Sequence, residues 1–172
     1  ADDQSLGCPT RRIRGTEYLA LVDEFVAAVK AVMPRALVQW EDFRKDNALT
    51  ILDRYSSVLP SFNDDIQGTG AVVVAGLNSA LTIKGERLSA QRIVIFGAGA
   101  AGLGVTRQIK AQLVDEGVVG EQQSGVIAVL DRSGLLVDDG RSMDAYKRAL
   151  AWPAARAAAL GLAAPTERSL LD

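Results

Sequence analysis

A glycine turn between an apolar strand and a helix is the feature that most constrains this fold. The apolar segment 92–96 runs directly into the turn 97–102, which reads GAGAAG in one-letter code, and a helical pattern continues to about Glu116. A second apolar strand follows at 126–130 and ends at Asp131. This order defines a βαβ unit of the dinucleotide-binding type, so the sequence predicts an α/β fold with a parallel sheet and flanking helices.

The turn has the residue types that a bound pyrophosphate requires. Gly97 permits the tight turn, Gly99 lets the pyrophosphate approach the backbone, and Gly102 lets the helix pack closely on the strand. The N-terminus of the helix then faces the negative charge of the phosphates. The alternative is an ordinary structural turn, but the surrounding strands and helix favour cofactor binding. The predicted cofactor-binding residues of the turn are Gly97, Ala98, Gly99, Ala100 and Gly102.

Asp131 stands where such folds hold the adenosine ribose of the dinucleotide. It lies 34 positions after Gly97, against about 20 in the usual fingerprint, and a long helix with the loop 117–125 explains the difference. A carboxylate accepts a hydrogen bond from the ribose 2′-hydroxyl and therefore favours NAD. Arg132 beside it is suited to a 2′-phosphate instead. The sequence favours NAD over NADP.

Two acidic pairs precede this unit. Glu41 and Asp42 follow a predicted strand at 36–40, and Asp64 and Asp65 stand before a predicted helix. The chain has no histidine and one cysteine, so an oxygen-ligated Mg²⁺ or Mn²⁺ is favoured over zinc, haem or iron–sulfur chemistry. Taken singly, a solvated loop and a helix N-cap explain these residues as well. Four converging carboxylates would repel one another without a cation, which favours a metal site.

The rest of the chain shows weaker patterns. The helix at 67–81 is apolar almost all round, which predicts burial. The remaining expected elements are a helix capped by Thr16 that ends at Met33 before Pro34, a helix from Asp46 to Tyr55, and, beyond Val137, a helix capped by Ser142 and interrupted by Pro153.

Size and charge limit the classes of function. A chain of 172 residues, 48% of them hydrophobic, forms one domain or two small half-domains, and the polar link 84–89 is the predicted boundary between them. A net charge of −2 without a basic stripe argues against nucleic acid as a partner. No uninterrupted apolar run reaches the roughly 18 residues of a membrane span, which argues against a membrane. A lone Cys8 and a charged segment 1–14 predict a cytoplasmic protein.

Four segments together resemble the malic enzyme family. They are WEDF at 40–43, FNDDIQGT at 62–69, GAGAAGLG at 97–104 and DRSGLL at 131–136. The resemblance implies oxidative decarboxylation of malate to pyruvate and CO₂ with NAD and Mn²⁺ or Mg²⁺. It assigns the metal ligands to Glu41, Asp42 and Asp65, and it gives Asp64 a catalytic role in orienting the site or assisting proton transfer. Residues 1–88 would end the metal and substrate domain with a connecting helix, and residues 89–172 would form part of the NAD-binding domain.

The chain also departs from that family. The catalytic tyrosine, general-base lysine and substrate-binding arginine of the family lie upstream of the matching region, two substrate-side asparagines lie downstream, and none of these motifs occurs here. Lys45, Lys84 and Lys110 stand outside the expected motif, so none is nominated as the base. The chain alone is therefore expected to be inactive, with malate or pyruvate as the class of small molecule that the complete enzyme binds.

Two other functions stay open at this point. The malolactic branch of the family converts malate to lactate and CO₂, and Pro60 with the pair Asp138-Asp139 is slightly more typical of that branch. A non-catalytic NAD-binding remnant fits the missing tyrosine and lysine motifs. A truncated parallel sheet leaves unpaired strand edges, so a homo-oligomer is expected in each case.

Overall fold

The computed structural model describes residues 12–162 and 164, and it confirms an α/β architecture with parallel strands and flanking helices. Cys8, on which the cytoplasmic prediction partly rests, lies outside the described residues. The elements in chain order are α1 (Gly15–Val32), β1 (Val38–Trp40), α2 (Lys45–Tyr55), β2 (Ser61–Asn63), a π-helical turn (Asp64–Gly68), α3 (Thr69–Lys84), a 3-10 helix (Leu88–Ala90), β3 (Ile93–Phe96), α4 (Ala100–Asp115), a second 3-10 helix (Gly120–Gly125), β4 (Ile127–Asp131), β5 (Gly134–Leu135), β6 (Val137–Asp138), α5 (Ala145–Arg148), β7 (Trp152–Pro153) and α6 (Ala154–Ala159).

The first sheet consists of two short parallel strands. β1 pairs with β2 in the register Val38↔Ser61 to Trp40↔Asn63. Trp40 is 3% exposed and packs at 5.9 Å, centroid to centroid, from both Phe43 and Tyr55. Trp40 therefore belongs to the core. β2 was not predicted, because three residues after a proline carry too little alternation to indicate a strand.

The helix caps differ from those that the sequence suggested. Thr16 lies inside α1, whose N-cap is Arg14, and Asp46 lies in the first turn of α2, whose N-cap is Arg44; neither N-cap side chain makes a capping hydrogen bond. The end of α1 at Val32, ahead of Pro34, is as predicted. The errors are two residues or fewer, as expected where tertiary packing rather than a side-chain cap fixes the start of a helix.

The prediction that the apolar helix is buried is wrong within the described residues. α3 buries Gly70 and Leu81, whereas the side chains of Val72 and Ile83 are 74% and 87% exposed. The continuous helical stretch Asp64–Lys84 is long and apolar enough to cross a membrane by length and composition alone. The count of uninterrupted apolar residues missed it, because Gly76 interrupts the run without ending the helix. Core helices of soluble proteins meet the same criterion, so this is weak evidence for a membrane.

The second sheet is the βαβ unit. β3 and β4 are parallel in the register Ile93↔Ile127 to Phe96↔Leu130, and β5 extends the sheet antiparallel to β4. Helix α4 connects the two parallel strands and buries Leu103, Ile109 and Leu113 against them. The predicted strands are confirmed within one residue of their expected ends, and α4 ends one residue before Glu116 but begins at Ala100, inside the predicted turn 97–102.

The end of the described chain is less regular than predicted. α5 is one turn, Ala145–Arg148, and its N-cap is Asp144 rather than Ser142. β6 and β7 form a two-stranded parallel sheet, so Pro153 belongs to a strand rather than interrupting a helix. β6 and β7 are two residues each, too short for a periodic pattern to reveal.

Candidate functional site

Three carboxylates meet at one edge of the first sheet. Glu41 and Asp42 directly follow β1, and Asp65 lies in the π-helical turn that directly follows β2. Because the carboxyl ends of parallel strands meet at the same edge, Glu41 and Asp42 are brought close to Asp65. One ligand oxygen from each of Glu41, Asp42 and Asp65 lies within 4.8 Å of the others. This spacing suits three ligands of one divalent cation.

The backbone around these carboxylates holds them in place. Asp42 has φ of 58°, the left-handed conformation, which non-glycine residues rarely adopt and which clusters at functional sites. In this conformation its main-chain N–H donates to Oδ2 of Asp65 at 3.0 Å. Gln39 Nε2 donates to Oε2 of Glu41 at 3.0 Å. Each ligand carboxylate is therefore either oriented by a hydrogen bond or set by an uncommon backbone geometry.

Asn63 anchors the turn that carries Asp65. Its side chain is fully buried and Oδ1 accepts from the N–H of Ile66 at 3.0 Å, while its own N–H donates to Oε1 of Gln67 at 2.9 Å. Within the described residues, the amide nitrogen Nδ2 of Asn63 is buried without a hydrogen-bond partner. The motif NDDIQ thus works as a local hydrogen-bonded unit. The sequence drew attention to its carboxylates and missed the structural role of its asparagine and glutamine.

Asp64 lies apart from the three clustered carboxylates. It opens the π-helical turn, it is partly buried, and it is not among the residues whose oxygens converge. Its Oδ1 lies 2.1 Å from the position that a Cβ on Gly68 would take, so the carboxylate folds back over its own turn. The catalytic role predicted for Asp64 stays a prediction.

The glycine turn leaves open space where a pyrophosphate is expected. Gly97 has φ of 129°, and a Cβ at Gly97 or Gly99 would meet nothing within 4 Å. A Cβ at Gly102 would lie 1.8 Å from the carbonyl oxygen of Gly97, so helix and turn pack too closely for any side chain there. Ala98 is buried in the core beneath the turn, and Ala100 packs beside the buried side chain of Ile66. Both alanines can therefore meet a cofactor mainly through their main chain.

A cavity of about 580 Å³ lies in front of this turn. Asp131 lines it together with residues of the turn, and its Oδ2 accepts from Nζ of Lys147 at 2.5 Å while Oδ1 accepts from the N–H of Ser133 at 2.7 Å. Burial alone would raise the pKa of Asp131, but the hydrogen bonds from Lys147 and Ser133 outweigh it and hold the pKa below its ordinary value. Asp131 is thus an ionised acceptor.

Two lysines line this cavity, and the sequence reasoning missed Lys147. Lys147 is on the short helix α5, 16 positions from Asp131, and no periodic or motif signal connects the two. Lys45 begins α2, lies 4.3 Å from the ring centroid of Tyr146, and donates a hydrogen bond to the Tyr146 hydroxyl. That hydrogen bond raises the pKa of Lys45. Lys45 therefore stays a cation at neutral pH, which agrees with its omission as a candidate base.

Helix α4 connects the glycine turn to the π-helical turn that carries Asp65. A Cβ at Gly104 would lie 1.7 Å from the carbonyl oxygen of Ile66, so the helix rests directly on the backbone next to Asp65. Gln108, one turn further along the helix, donates from Nε2 to the carbonyl oxygen of Gln67 at 2.8 Å. The two halves of the candidate site are therefore held together by one helix.

Both halves of the chain match families of known proteins. The sequence pattern described as "Malic enzyme, N-terminal domain" matches residues 1–56, and that described as "Malic enzyme, NAD binding domain" matches residues 66–166. The fold and site define a dinucleotide-binding α/β protein with an acidic cluster. The chain belongs to the malic enzyme family. The predicted boundary at residue 88 stays a prediction.

Individual relatives agree with this assignment. The chain is 42% identical to the NAD-dependent malic enzyme of Shewanella frigidimarina, over 90% of this chain and 27% of the relative. It is 41% identical to the malolactic enzyme of Leuconostoc mesenteroides, over 83% of this chain and 26% of the relative. The NAD-dependent malic enzyme of Thermotoga maritima shares the fold with a TM-score of 0.58 and 27% identity, over 75% of this chain and 33% of that one. The chain thus spans about a quarter of the length of the curated relatives it matches.

Proposed function

We propose that this chain supplies the metal ligands and part of the dinucleotide site of an enzyme that oxidises malate with NAD and releases CO₂ to leave pyruvate. The observation that carries the proposal is the contact of α4 with both halves of the site. The N-terminus of α4 faces the glycine turn, and Gly104 on the same helix touches the backbone beside Asp65. Hydride transfer requires the hydroxy acid and the nicotinamide to lie side by side, and one shared helix meets that requirement.

The three carboxylates fit Mg²⁺ or Mn²⁺ by the chemistry of their donors. Glu41, Asp42 and Asp65 offer hard oxygen ligands within 4.8 Å of one another. A divalent ion held there supplies Lewis-acid polarisation of the substrate oxygens. The main-chain N–H of Asp42 keeps the Asp65 carboxylate turned toward its neighbours, and Asn63 fixes the turn behind it.

Calorimetric titration with Mn²⁺ tests the ligand assignment. The double variant Asp42→Ala, Asp65→Ala should lose Mn²⁺ binding, because two of three ligands are removed. The matched control is Asp53→Ala, Asp115→Ala, which removes the same charge from two exposed positions on α2 and α4. Unchanged Mn²⁺ affinity in the first variant, or equal loss in the control, would show that the cluster is not the binding site.

NAD is the proposed dinucleotide because Asp131 presents an ionised carboxylate beside the glycine turn. The carboxylate accepts from a ribose 2′-hydroxyl and repels a 2′-phosphate, although Lys147 partly neutralises it. Asp131→Ala should weaken NAD binding and reduce the preference for NAD over NADP. Lys147→Ala should increase that preference, because it leaves the carboxylate unpaired. Equal preferences in both variants and the original chain would contradict the assignment of the ribose to Asp131.

The 172-residue chain by itself is expected to show no malate turnover. Proton transfer in such a reaction contributes about 10²–10⁴-fold to the rate, and the tyrosine and lysine motifs that the family uses for it do not occur here. Lys45 lines the cavity, but its hydrogen bond to Tyr146 raises its pKa and keeps it charged. A spectrophotometric assay with malate, NAD and Mn²⁺ measures this directly. Turnover in the ordinary enzyme range of about 1–10³ s⁻¹ would contradict the prediction.

Malolactic conversion is the second candidate, supported by the 41% identity to the enzyme of Leuconostoc mesenteroides. The two reactions differ in their products, since oxidative decarboxylation gives pyruvate and NADH, whereas malolactic conversion gives lactate without net NADH. Product analysis of any turnover by chromatography separates them. Because this chain by itself is expected to bind NAD without turnover in either case, only an assay of the complete enzyme separates a non-catalytic remnant from the two enzymatic candidates.

Self-association is proposed for the isolated chain. Val94 and Phe96 on β3 are 61% and 77% exposed, and β3 is paired on one side only within the described residues. Such an apolar edge strand is a template for pairing with another copy. Light scattering after size-exclusion chromatography should give a mass above that of one chain. Phe96→Lys should reduce it, and a monomer for the original chain would contradict the proposal.

A further inference from the structure

The lysines of the chain differ in their surroundings, and Lys110 is the exception among them. Lys45, Lys84 and Lys147 each lie within 4.0 Å of a carboxylate oxygen, and Lys30 is exposed on α1. Lys110 is partly buried on α4, and its Nζ donates to the carbonyl oxygen of Ala149 at 2.9 Å. No carboxylate of the described residues forms an ion pair with it. One of its three N–H donors is used, so two remain for another partner.

A cavity of about 300 Å³ opens beside Lys110. Five of its ten lining residues are apolar. The polar groups of the wall are already engaged, since Gln123 Nε2 donates to two main-chain carbonyl oxygens and Trp152 Nε1 donates to the carbonyl oxygen of Ile127. Glu121 is the other ionisable side chain at the cavity, and it is exposed. The apolar lining residues are Ile127, Leu150, Ala151, Trp152 and Pro153.

The surroundings of Lys110 favour its uncharged amine. Burial disfavours the charged form and lowers the pKa of Lys110, so a larger fraction of this amine is unprotonated at a given pH than for an exposed lysine. Desolvated lysines in apolar pockets are activated nucleophiles in proteins, and lysine is the usual target of acylation. The apolar wall adds a place for the carbon chain of an incoming acyl group.

We propose that Lys110 is an acylation site of this chain, that acyl thioesters are its class of acyl donor, and that the adjoining cavity receives a short acyl chain. The unprotonated amine attacks the thioester carbonyl carbon and forms the C–N bond. The C–S bond breaks, and the thiolate leaves and takes up the proton that the nitrogen gives up. No oxidant or reductant is required. The amide product keeps one N–H, which can still donate to the Ala149 carbonyl oxygen.

Competitive acylation with S-acetyl-N-acetylcysteamine tests the proposal. Peptide mapping by mass spectrometry gives the initial rate at Lys110 relative to Lys30, the exposed reference in the same molecule. We expect a ratio several-fold above the ratio found in concentrated urea, where the two lysines have equivalent surroundings. A ratio in buffer at or below that in urea would overturn the proposal, because burial would then protect the amine rather than activate it.

The role of the cavity is tested separately. Ala151→Phe fills the cavity without changing Lys110 and should lower the ratio, whereas Ala111→Phe adds the same bulk at an exposed position of α4 and should leave it unchanged. In the original chain, the butyryl thioester should favour Lys110 more strongly than the acetyl thioester, because the longer chain buries more apolar surface. This second measurement holds even if Ala151→Phe fails to fold. Equal ratios for the two thioesters would overturn the assignment of the cavity as the acyl receptor.

Discussion

Replacing Gly104 by alanine tests the contact between α4 and the π-helical turn that carries Asp65. The added Cβ would lie 1.7 Å from the carbonyl oxygen of Ile66 and 2.6 Å from its carbonyl carbon. Both are backbone atoms, so no side-chain rotation removes the clash. The helix and the turn that carries Asp65 must therefore move apart.

The size of the effect follows from these distances. Real Cβ atoms essentially never approach closer than 3.0 Å, so the separation must grow by about 1.3 Å, the difference between 3.0 Å and 1.7 Å. Overpacking of this kind costs about 1–3 kcal/mol, and the higher helix propensity of alanine recovers roughly 0.8–1 kcal/mol of it. We expect a net loss of up to about 2 kcal/mol in the free energy of unfolding, toward the upper end of that range because both obstructing atoms belong to the backbone. Displacing Asp65 from Glu41 and Asp42 should also reduce Mn²⁺ affinity. The expected loss is about 10–100-fold, the usual effect of removing a residue that orients a metal ligand.

Urea unfolding followed by circular dichroism gives the stability, and calorimetry gives the Mn²⁺ affinity. Gly76→Ala is the matched control, because it lies in α3 and its Cβ would meet nothing within 4 Å. The control should be stabilised by about 0.5–1 kcal/mol and bind Mn²⁺ normally. If Gly104→Ala unfolds at the same urea concentration as the original chain and binds Mn²⁺ equally well, the close contact is refuted. The dependence of the Asp65 position on that contact is then refuted as well.

Three further changes test other contacts. In Gly68→Ala the obstacle is the flexible Asp64 carboxylate, at 2.1 Å, rather than backbone, so urea unfolding should show a smaller loss than Gly104→Ala, and an equal loss would contradict this. Tyr55→Phe removes the hydrogen bond from the hydroxyl to Asp23 Oδ1 at 2.6 Å and should lower the urea midpoint; an unchanged midpoint would show that water replaces the bond. Hydrogen bonds from the Ser89 hydroxyl and from main-chain N–H groups lower the pKa of Glu116. Glu116→Gln should therefore be less stable than the original chain above pH about 4.3, and this difference should disappear as the pH falls through the lowered pKa of the folded state. A stability difference that does not change with pH would contradict that last expectation.

The sequence predicted those parts of the fold whose patterns are long. An apolar strand, a glycine turn and a 16-residue helix give enough consecutive residues to identify β3 and α4. The ends of β3 are correct within one residue, whereas α4 begins at Ala100, inside the predicted turn 97–102. The three-residue strand β2 and the π-helical turn after it carry no such pattern. The burial of α3 was misjudged for another reason. A helix that is apolar on all sides is expected to pack against other elements on all sides. Within the described residues, α3 packs mainly against α4, so its other sides are exposed.

The residues of the candidate site were predictable from the sequence, but their geometry was not. Glu41 and Asp42 followed a predicted strand and the family resemblance joined Asp65 to them, whereas β2, which brings Asp65 to the same sheet edge, was not predicted. The left-handed backbone of Asp42 and the pairing of Asp131 with Lys147 depend on contacts between residues distant in sequence. Such contacts cannot be predicted from composition or from the spacing of residues along the sequence.

The glycines of α4 explain why the two sites form one structure. Gly102 allows the first turn of α4 to pack against the backbone of Gly97. Gly104 allows α4 to pack against the backbone of Ile66, in the π-helical turn that carries Asp65. A side chain at either position would push the helix off one of the two halves. The last glycine of the segment GAGAAGLG therefore sets the position of Asp65 relative to the glycine turn. A metal-bound substrate and a dinucleotide would be aligned by the packing of one helix.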